Sequence, residues 1–560
     1  MENVLREAIS DTLNELGLEA TDFAIEHPSG LVHGDYATNV AMVVAKSAGK
    51  APRELAEQIL AALEGQIEYV EKIEVAGPGF INFHLSREFF TSEINRARKE
   101  GEHWGATDTY EGQTVFVEYT DPNPFKEFHV GHLFTNTVGE SIARLFMAAG
   151  ANVKRLNYQG DVGMHVASAI YGMQKNGLNA SSDFSAKELG KAYATGATAL
   201  KEDKTAAEEI KKINKAIYER SEEEINVLYD KGRQVSLDYF ETIYEKLGTE
   251  FDHYFFESEA APKGKELVLN HPEVFVESDG ARVFLGEEHG LHTRVFLNSE
   301  GLPTYEAKEL ALAKMKEDEM GAYDLSIIST SNEINEYFKV LRKAMSFVYP
   351  DLSEKTEHIG HGTVRLSTGK MSSRTGDVIP ATDFIEEITS AAKEKMTETD
   401  SQADLNTAEE VAIGAIKFAV LKSNILQDTV FDKEQALSFE GDSGPYLQYT
   451  HARIISMLEK AKSVGVEPGT PNTPEEAYEL ERILYRLPGV VERAAVERAP
   501  HLLTHFLLEL AASFNKFYVN EKVADASDEF ASYKAALSDA VRITLKNGLW
   551  GLGIKAPEKM

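Results

Sequence analysis

The feature that most constrains the fold is a strand, a loop and a helix in direct succession. The strand is the β-branched and aromatic run TVFVEY, and the loop TDPNPFKEF ends it with two prolines. After the sequence HVGH, apolar residues recur every three to four positions from Phe134 to Ala149, and Gly150 is a natural helix end. This order predicts a Rossmann-like parallel sheet, whose strands lead through loops into helices.

The two histidines of HVGH, His129 and His132, fall at the entry of this helix. A helix N-terminus has free N–H groups and the positive end of the helix dipole, and both favour phosphate groups. Residues three apart share one helix face, and Gly131 lets a ligand approach the backbone closely. We therefore predict a nucleotide phosphate site at these three residues.

A second and more literal motif, HIGH, spans residues 358–361. The residues after it, GTVRLS, alternate apolar and polar side chains as a strand does, and no helical pattern follows. We therefore expect His358 and His361 to be polar residues at a strand edge and not a phosphate site. The loop GKMSSRTGD comes shortly afterwards and taken alone would be a solvated turn. It contains Lys370, Met371, Ser372 and Ser373.

Composition predicts a soluble protein of several domains, since 560 residues are too many for one core. There is no cysteine and no cluster of ligands with zinc spacing, so no structural metal is expected. No apolar run is long enough to span a bilayer, and the start lacks the features of a signal peptide. We therefore expect a cytoplasmic protein without a membrane partner.

The pattern along the chain divides it into four parts. Residues 1–110 have the pattern of a small α/β domain, in which KIEVAGPGFINFHLS forms two strands around a Gly-Pro-Gly turn. Residues 111–380 form the Rossmann-like domain, with a charged helical insertion at about 167–260. A helical connector at 381–435 and an all-helical C-terminal domain at 436–560 complete the chain. The predicted fold class is multidomain, α/β and α.

An HxGH sequence at a helix start with a KMSS loop far downstream resembles the signature of class I aminoacyl-tRNA synthetases. The chain has 238 residues of separation between His132 and Lys370, room for both halves of a nucleotide-binding sheet. Further segments are similar to the arginyl-tRNA synthetase family and follow that family's order along nearly the whole chain. They are HGDYATNVAMVVAKSAGKAPRELAEQI, GPGFINFHL, GLPTYEAKELALA, SGPYLQYTHARI, LAASFNKFY and LKNGLWGLGIKAPEKM.

The resemblance implies site residues where the family's motifs match. Glu118 and Asn123, with His129, would help to bind arginine, and Tyr305 with Glu309 would hold its guanidinium. Glu309 stands where the family more commonly has Asp, and it adds a methylene to the pocket. The resemblance also implies Lys126 and Lys370, with His129 and His132, as catalytic residues. It implies Gly131, Met371, Ser372 and Ser373 as ATP-binding residues. It further implies that Glu333 binds arginine, although the stretch around it departs from the family's Gly-x-Asp pattern.

The resemblance also implies the reaction and its participants. Arginine would attack the α-phosphate of ATP, and the arginyl group would then pass to the terminal ribose of the tRNA. The expected cofactor is ATP with Mg²⁺, and the expected partners are L-arginine, ATP and tRNA(Arg), with the protein as a monomer. Residues 1–110 would contact tRNA as the family's additional domain, and residues 436–560 would bind the anticodon.

The net charge of −33 argues against general adhesion to nucleic acid but allows a local basic face. The C-terminal helices combine arginines with aromatic residues, a pairing that suits unpaired anticodon bases, although a hydrophobic core with a solvated face would show the same pattern. These residues are Arg453, Arg482, Arg486, Arg493, Arg498, Phe514, Phe517 and Tyr518.

Three alternative functions stay open from the sequence. Another class I synthetase would share both motifs, although the absence of cysteine disfavours the zinc-dependent cysteine enzyme and the Tyr305/Glu309 pair suits a cationic side chain. A phosphopantetheine-type nucleotidyltransferase also uses HxGH, but such proteins are much shorter and lack a helical tail. A catalytically inactive, synthetase-like RNA-binding protein is disfavoured by the intact HVGH and KMSS sequences.

Overall fold

The structure is a computed structural model that describes residues 1–19, 22–28, 31–179, 181–367, 379–398 and 404–560. The chain divides into two compact units. The first unit contains residues 1–104, 454–487 and 512–544, and the second contains residues 105–453, 488–511 and 545–560. Within the described ranges, no helix is both long enough and apolar enough to cross a membrane.

The first unit is built on an antiparallel sheet. Its strands are β1 (Ile25–Glu26), β2 (Tyr36–Thr38), β3 (Val70–Ala76) and β4 (Phe80–Leu85), in the order β1–β2–β4–β3. Its N-terminal helices are α1 (Glu2–Glu15), α2 (Val40–Ala48), α3 (Pro52–Leu63) and α4 (Arg87–Glu100). The turn at GPG joins β3 to β4 as predicted. Tyr485 packs in the same buried cluster as these elements, so the core includes a residue from the C-terminal part of the chain.

The second unit contains a five-stranded, fully parallel sheet. Its strands are β5 (Thr114–Glu118), β6 (Asn152–Gln159), β7 (His253–Phe256), β11 (Leu325–Ser331) and β12 (Thr356–His361), in the order β12–β11–β5–β6–β7. The strand order reverses between β5 and β11. In sheets of this kind, ligands bind at the carboxyl ends of the strands beside that reversal. The predicted Rossmann-like core is confirmed, and the reversal places HVGH beside this crevice, since the motif follows β5.

Helices connect these strands. They are α5 (Val130–Ala148), α6 (Met164–Lys175), α7 (Ala186–Glu202), α8 (Lys204–Glu219), α9 (Glu223–Leu247), α10 (Glu257–Asn270), α11 (Tyr305–Met320), α12 (Asn335–Val348) and α13 (Pro350–Lys355). A small antiparallel sheet is formed by β8 (Val276–Ser278), β9 (Ala281–Phe284) and β10 (Arg294–Leu297).

The helical pattern predicted up to residue 260 is wrong at its end. Helix α9 ends at Leu247 and α10 begins only at Glu257, and β7 forms between them, within the predicted helical range. Its sequence, HYFF, is aromatic, and aromatic residues favour strands that are buried against a neighbouring strand. The charged residues around it masked this signal.

The C-terminal part is almost entirely helical, as predicted. Its elements are β13 (Val364–Leu366), α14 (Ala381–Glu398), α15 (Leu405–Leu421), β14 (Thr429–Phe431), α16 (Lys433–Ala436), α17 (Gly444–Ser463), α18 (Glu479–Leu484), α19 (Leu487–Glu497), α20 (Pro500–Asn520) and α21 (Ala531–Gly551). The exceptions are β13 and β14, which pair in parallel.

The later turns of α5 are held by residues from the end of the chain. The Ser141 hydroxyl donates to the carbonyl of Gly551 at 3.0 Å. The Arg144 guanidinium donates to the carbonyl of Trp550 at 3.1 Å. The buried Lys417 ammonium donates to the carbonyls of Leu247 and Gly553 at 2.6 and 2.7 Å. Ser141 and Arg144 thus tie the later turns of α5 to residues 550 and 551 within the second unit.

Candidate active site

The HVGH sequence forms the first turn of α5. His129 is the N-cap residue with extended backbone angles, and its backbone N–H donates to Nδ1 of His132 at 3.2 Å. The two imidazole rings stack with their centroids 3.7 Å apart. A Cβ on Gly131 would lie 2.9 Å from the His129 ring, so only glycine fits this turn. The helix N-terminus and both histidines thus face the same region, as the sequence predicts.

Both histidines are uncharged at neutral pH. Burial lowers the pKa of His129 to about 4, with the nearby Lys126 charge as a smaller cause. Burial also places the pKa of His132 well below its usual value, and His129 and Lys126 contribute. Neutral imidazoles can donate hydrogen bonds to a phosphate without repelling the positive end of the helix dipole.

The loop between β5 and α5 carries backbone strain. Thr120, Asp121 and Phe125 have positive φ angles of 80°, 44° and 68°, a region that side chains other than glycine rarely adopt. Phe125 is fully buried, and its backbone N–H donates to the hydroxyl of Ser236 at 2.9 Å. The surrounding core therefore holds the loop in a conformation that it would not adopt alone, as is common at ligand sites.

Buried carboxylates gather beside the carboxyl end of β5. Glu118 forms an ion pair with Lys316 at 2.8 Å, and both side chains are 2% exposed. Glu257 pairs with Lys308, also buried. Burial raises the pKa of Glu309 to about 8, and the charge of Glu118 adds to this effect.

Asp121 strengthens the acidic character of this pocket. Burial, followed by the charge of Glu118, places the pKa of Asp121 well above its usual value. Four carboxyl groups (Glu118, Asp121, Glu257, Glu309) thus interact with two lysines. We call this set the acidic pocket. Because two of its carboxyl groups have no ion-pair partner among the described residues, a positively charged ligand would relieve the burial penalty on them.

Two buried tyrosine hydroxyls lie in the core next to α11. Among the described residues, the hydroxyls of Tyr158 and Tyr337 have no hydrogen-bond partner. Both residues lie in one buried cluster with Ala307 and Leu310 of α11, which flank Glu309 in sequence. Their pKa values are raised by burial first, and the Glu309 charge contributes to both. An unmet buried hydroxyl costs about 1–3 kcal/mol, so a ligand that bonds to these groups would gain affinity.

Asn123 and Tyr305 approach the pocket from different elements. Asn123 lies in the strained loop, and a Cβ on Gly160 would be 2.2 Å from its Oδ1 and 3.4 Å from Glu257. Tyr305 begins α11, is 58% exposed, and has the Lys308 ammonium 4.5 Å from its ring centre. The Lys308 ammonium, a sequence neighbour of Glu309, forms its ion pair with Glu257.

Lys126 and Glu333 do not belong to the acidic pocket. The Lys126 ammonium is 4.8 Å from the ring centre of Tyr193, and burial lowers its pKa while Glu257 opposes the shift. Glu333 is exposed in a short 3-10 turn, residues 332–334, that follows β11. The KMSS residues Lys370, Met371, Ser372 and Ser373 lie outside the described residues.

The second motif, HIGH, forms the end of β12, as expected from its strand spacing. His358 stacks on Phe338 at 3.8 Å and shares a hydrogen bond with Thr330 at 2.8 Å. His361 is buried rather than exposed, because its ring contacts the Thr135 hydroxyl of α5 at 3.0 Å. Neither histidine starts a helix, so neither has the free N–H groups of a phosphate site.

Several C-terminal residues that suit RNA contact have structural partners instead. Phe514 and Phe517 are buried in the core. Arg482 pairs with the buried Asp35 within the first unit. Arg498 pairs with Glu357 at 2.9 Å, and Arg493 pairs with Glu497 at 2.6 Å. Tyr518 is 41% exposed, so it keeps a surface available for stacking.

Comparison with known proteins agrees with this geometry. The family model for the catalytic domain of class I tRNA synthetases (R) matches residues 94–433, the DALR anticodon binding domain matches 447–560, and the arginyl tRNA synthetase N terminal domain matches 3–85. The arginine–tRNA ligase of Clostridium kluyveri is 32% identical over 98% of this chain and 97% of its own length.

The chain belongs to the arginyl-tRNA synthetase family. The arginine–tRNA ligase of Streptococcus pneumoniae is 31% identical over 99% of this chain and 98% of its own. The solved arginyl-tRNA synthetase of Thermus thermophilus covers 100% of both chains at 28% identity, with a TM-score of 0.80. Membership in this class I family implies ATP as the activating substrate.

Several residues of the acidic pocket could not be identified from the sequence. Lys316 and Glu257 were not identified, because their partners lie far away in the sequence and only the fold brings them together. Tyr158 and Tyr337 have the pattern of ordinary core residues in a strand and a helix. No local signal distinguishes a buried tyrosine with a free hydroxyl from one with a partner.

Proposed function

We propose that this chain is an arginine–tRNA ligase that activates arginine with ATP and transfers it to tRNA(Arg). One observation carries the proposal: the HVGH turn of α5 starts at the strand-order reversal, directly beside a buried acidic pocket. A phosphate site next to a cation site suits the condensation of ATP with a cationic amino acid. The relatives are ligases, which favours this reading over a catalytically inactive RNA-binding protein.

In the first step, the arginine carboxylate attacks the α-phosphate of ATP and pyrophosphate leaves. The N–H groups of α5, with His129, Gly131 and His132, would bind the phosphates and stabilise charge in the transition state. The chemistry needs no protein nucleophile, because positioning and electrostatics suffice for a phosphoryl-type transfer. Mg²⁺ would enter with ATP, bound mainly by phosphate oxygens.

The arginine side chain would enter the acidic pocket. Glu309 would accept two parallel hydrogen bonds from the guanidinium, a geometry that a lysine ammonium cannot match. Tyr305 would lie over the entrance of the acidic pocket. The hydroxyls of Tyr158 and Tyr337 would accept hydrogen bonds from further guanidinium N–H groups. Selection of arginine would then rest on both charge and shape.

The reacting end of arginine would lie nearer the loop before α5. Glu118 and Asn123 would hold the α-amino group, with His129 between amino acid and ATP. Lys316 would orient Glu118 through their buried ion pair. Glu333, on the turn after β11, would bind arginine or the ribose from the far side of the strand-order reversal.

Positive charge for the leaving pyrophosphate would come from two lysines. Lys126 precedes HVGH, and Lys370 leads the KMSS loop with Met371, Ser372 and Ser373. The role of the KMSS residues rests on the sequence resemblance. A lysine that closes over the phosphates would neutralise the charge that develops as pyrophosphate departs.

In the second step, the terminal 2′-hydroxyl of the tRNA attacks the arginyl carbonyl and AMP leaves. We propose that the protein acts as a cytoplasmic monomer. Residues 1–110 would contact the tRNA, 111–380 would hold the catalytic site with its insertion at 167–260, 381–435 would connect, and 436–560 would bind the anticodon.

The test is ATP consumption with each of the twenty amino acids, with and without total tRNA. We expect consumption with arginine and tRNA together, and arginine recovered on tRNA. Charging of any other amino acid would contradict the assignment. Tight tRNA binding without any ATP consumption would instead support the inactive alternative.

A further inference from the structure

A cavity of about 800 Å³ opens beside the edge strand β12. One face of α12 forms one side of it, and residues 424–426 and 497–501 form the other. His358, the first residue of the HIGH motif, lies in its wall. We call this cavity the α12 cleft. The function assigned to the HVGH site makes no use of it.

Three basic residues of α12 line the cleft together. They are Lys339, Arg342 and Lys343, spaced three and four positions apart. Residues at these intervals lie on one helix face, with their Cβ atoms about 5–6 Å apart. The helix thus presents a row of cations rather than a single point of charge.

Most other charges at the cleft are already neutralised. Glu357 pairs with Arg498 at 2.9 Å, and Lys339 pairs with Glu336 at 2.6 Å.

Two cations of the row keep their charge. Arg342 is exposed, and the Lys343 ammonium lies 4.7 Å from the ring centre of Phe347. Across the described part of the chain, neither Arg342 nor Lys343 has an acidic partner. The cleft therefore keeps two uncompensated positive charges on a chain whose net charge is −33.

We propose that the α12 cleft binds the phosphate backbone of tRNA. This rests on the proposed function, because it gives the bound tRNA a second contact beside the helical anticodon-binding region. Arg342 and Lys343 lie side by side on a helix surface and do not converge on one point, so they suit successive phosphates better than a single small anion. Phosphate contacts of this kind set the position of a nucleic acid and leave base reading to other residues.

A salt titration tests the cleft directly. The full-length double variant Arg342→Gln/Lys343→Gln keeps the side-chain length and removes both charges. Binding of a tRNA(Arg) transcript is measured by filter retention between 50 and 200 mM KCl. Loss of two phosphate contacts should lower the slope of log K against log salt by about 1.4–1.8. The difference in affinity from wild type should then grow about tenfold as salt falls across that range.

The matched control is Lys314→Gln/Lys355→Gln, which removes the same net charge elsewhere. Lys314 pairs with Glu317 and Asp318 on α11, and Lys355 precedes β12. The control should keep the wild-type slope. An unchanged slope in the cleft variant, or an equal fall in the control, overturns the proposal.

Two further measurements keep the outcome specific. Arg342→Lys retains the charge and should keep the wild-type slope, which separates electrostatics from damage to α12. At saturating tRNA, the cleft variant should charge arginine with a kcat close to wild type, because the acidic pocket is untouched. Failure of arginine charging in wild type as well would contradict the proposed function itself, whereas normal charging with an unchanged salt slope would contradict the cleft alone.

Discussion

The acidic pocket predicts that arginine use depends steeply on pH below 8. Burial, with the charge of Glu118, raises the pKa of Glu309 to about 8, so most of this carboxyl is protonated at pH 7. The guanidinium of arginine stays charged throughout this range and needs the ionised form. Arginine binding must therefore release the proton of Glu309, and the apparent affinity falls with the ionised fraction.

The magnitude follows from that pKa. For a group that titrates at about 8, the ionised fraction is about 1% at pH 6, about 10% at pH 7 and about 50% at pH 8. The value of kcat/KM for arginine should therefore rise about tenfold per pH unit at first and about 50-fold from pH 6 to pH 8. The other charged groups that act on Glu309 are Glu118, Lys316, Glu257 and Lys308.

The assay measures kcat/KM for arginine from pH 6 to pH 8.5 at saturating ATP and tRNA. The matched control is kcat/KM for ATP at saturating arginine, which should lack this slope. Calorimetry of arginine binding at pH 7, in buffers of different ionisation enthalpy, should show release of about 0.9 proton.

Variants at the same position sharpen the result. Glu309→Gln cannot ionise, so its kcat/KM for arginine should not vary with pH. At pH 8 this kcat/KM should be lower than that of wild type by a factor of about 30 to several thousand, which corresponds to about 2–5 kcal/mol. Glu309→Asp should be milder, since the charge remains. A wild-type profile as flat as that of Glu309→Gln, with no proton released, would refute the reasoning.

Three further predictions concern the histidines of α5, the buried Lys417 and the requirement for tRNA. His129→Ala and His132→Ala should each lower activation by about 10²–10³, as for one lost transition-state donor, while His271→Ala at the end of α10 should stay near wild type in pyrophosphate exchange. Lys417→Met should remove a pH dependence of stability. Burial lowers the pKa of Lys417 to about 7, so between pH 7 and 9 the unfolded chain binds more protons than the folded chain. Across that range, the free energy of unfolding in urea should rise by about 2–3 kcal/mol more in wild type than in the variant. Pyrophosphate exchange should need tRNA, as generally in this family; a full arginine-dependent rate without it would contradict the coupling.

Local patterns predicted the parts of the fold that depend on neighbours in sequence. The apolar spacing after HVGH predicted the extent of α5, and the alternation after HIGH correctly predicted a strand and no helix start at His358 and His361. The strand β7 was missed, because four aromatic and histidine residues between charged helices give a weak strand signal. Composition alone does not indicate which short strands are buried by tertiary contacts.

The pocket was only partly predictable for a different reason. Tyr305 and Glu309 are visible as a helix pair, but the partner of Glu118 lies on α11, almost 200 residues away in sequence. Which lysine neutralises which carboxylate depends on the sheet order. The same holds for His361: it lies on an edge strand as predicted, but its contact with Thr135 of α5 depends on the fold.

The anchoring of α5 by the end of the chain has a consequence for biosynthesis. Ser141 reaches its partner Gly551 only after 410 further residues have been added. A ribosome that adds about 5–20 residues per second needs about 20–80 seconds for that distance. During this time the helix that begins the nucleotide site lacks its contacts with residues 550 and 551. The nascent chain can therefore complete its catalytic unit only after Gly551 has been added and has left the ribosome.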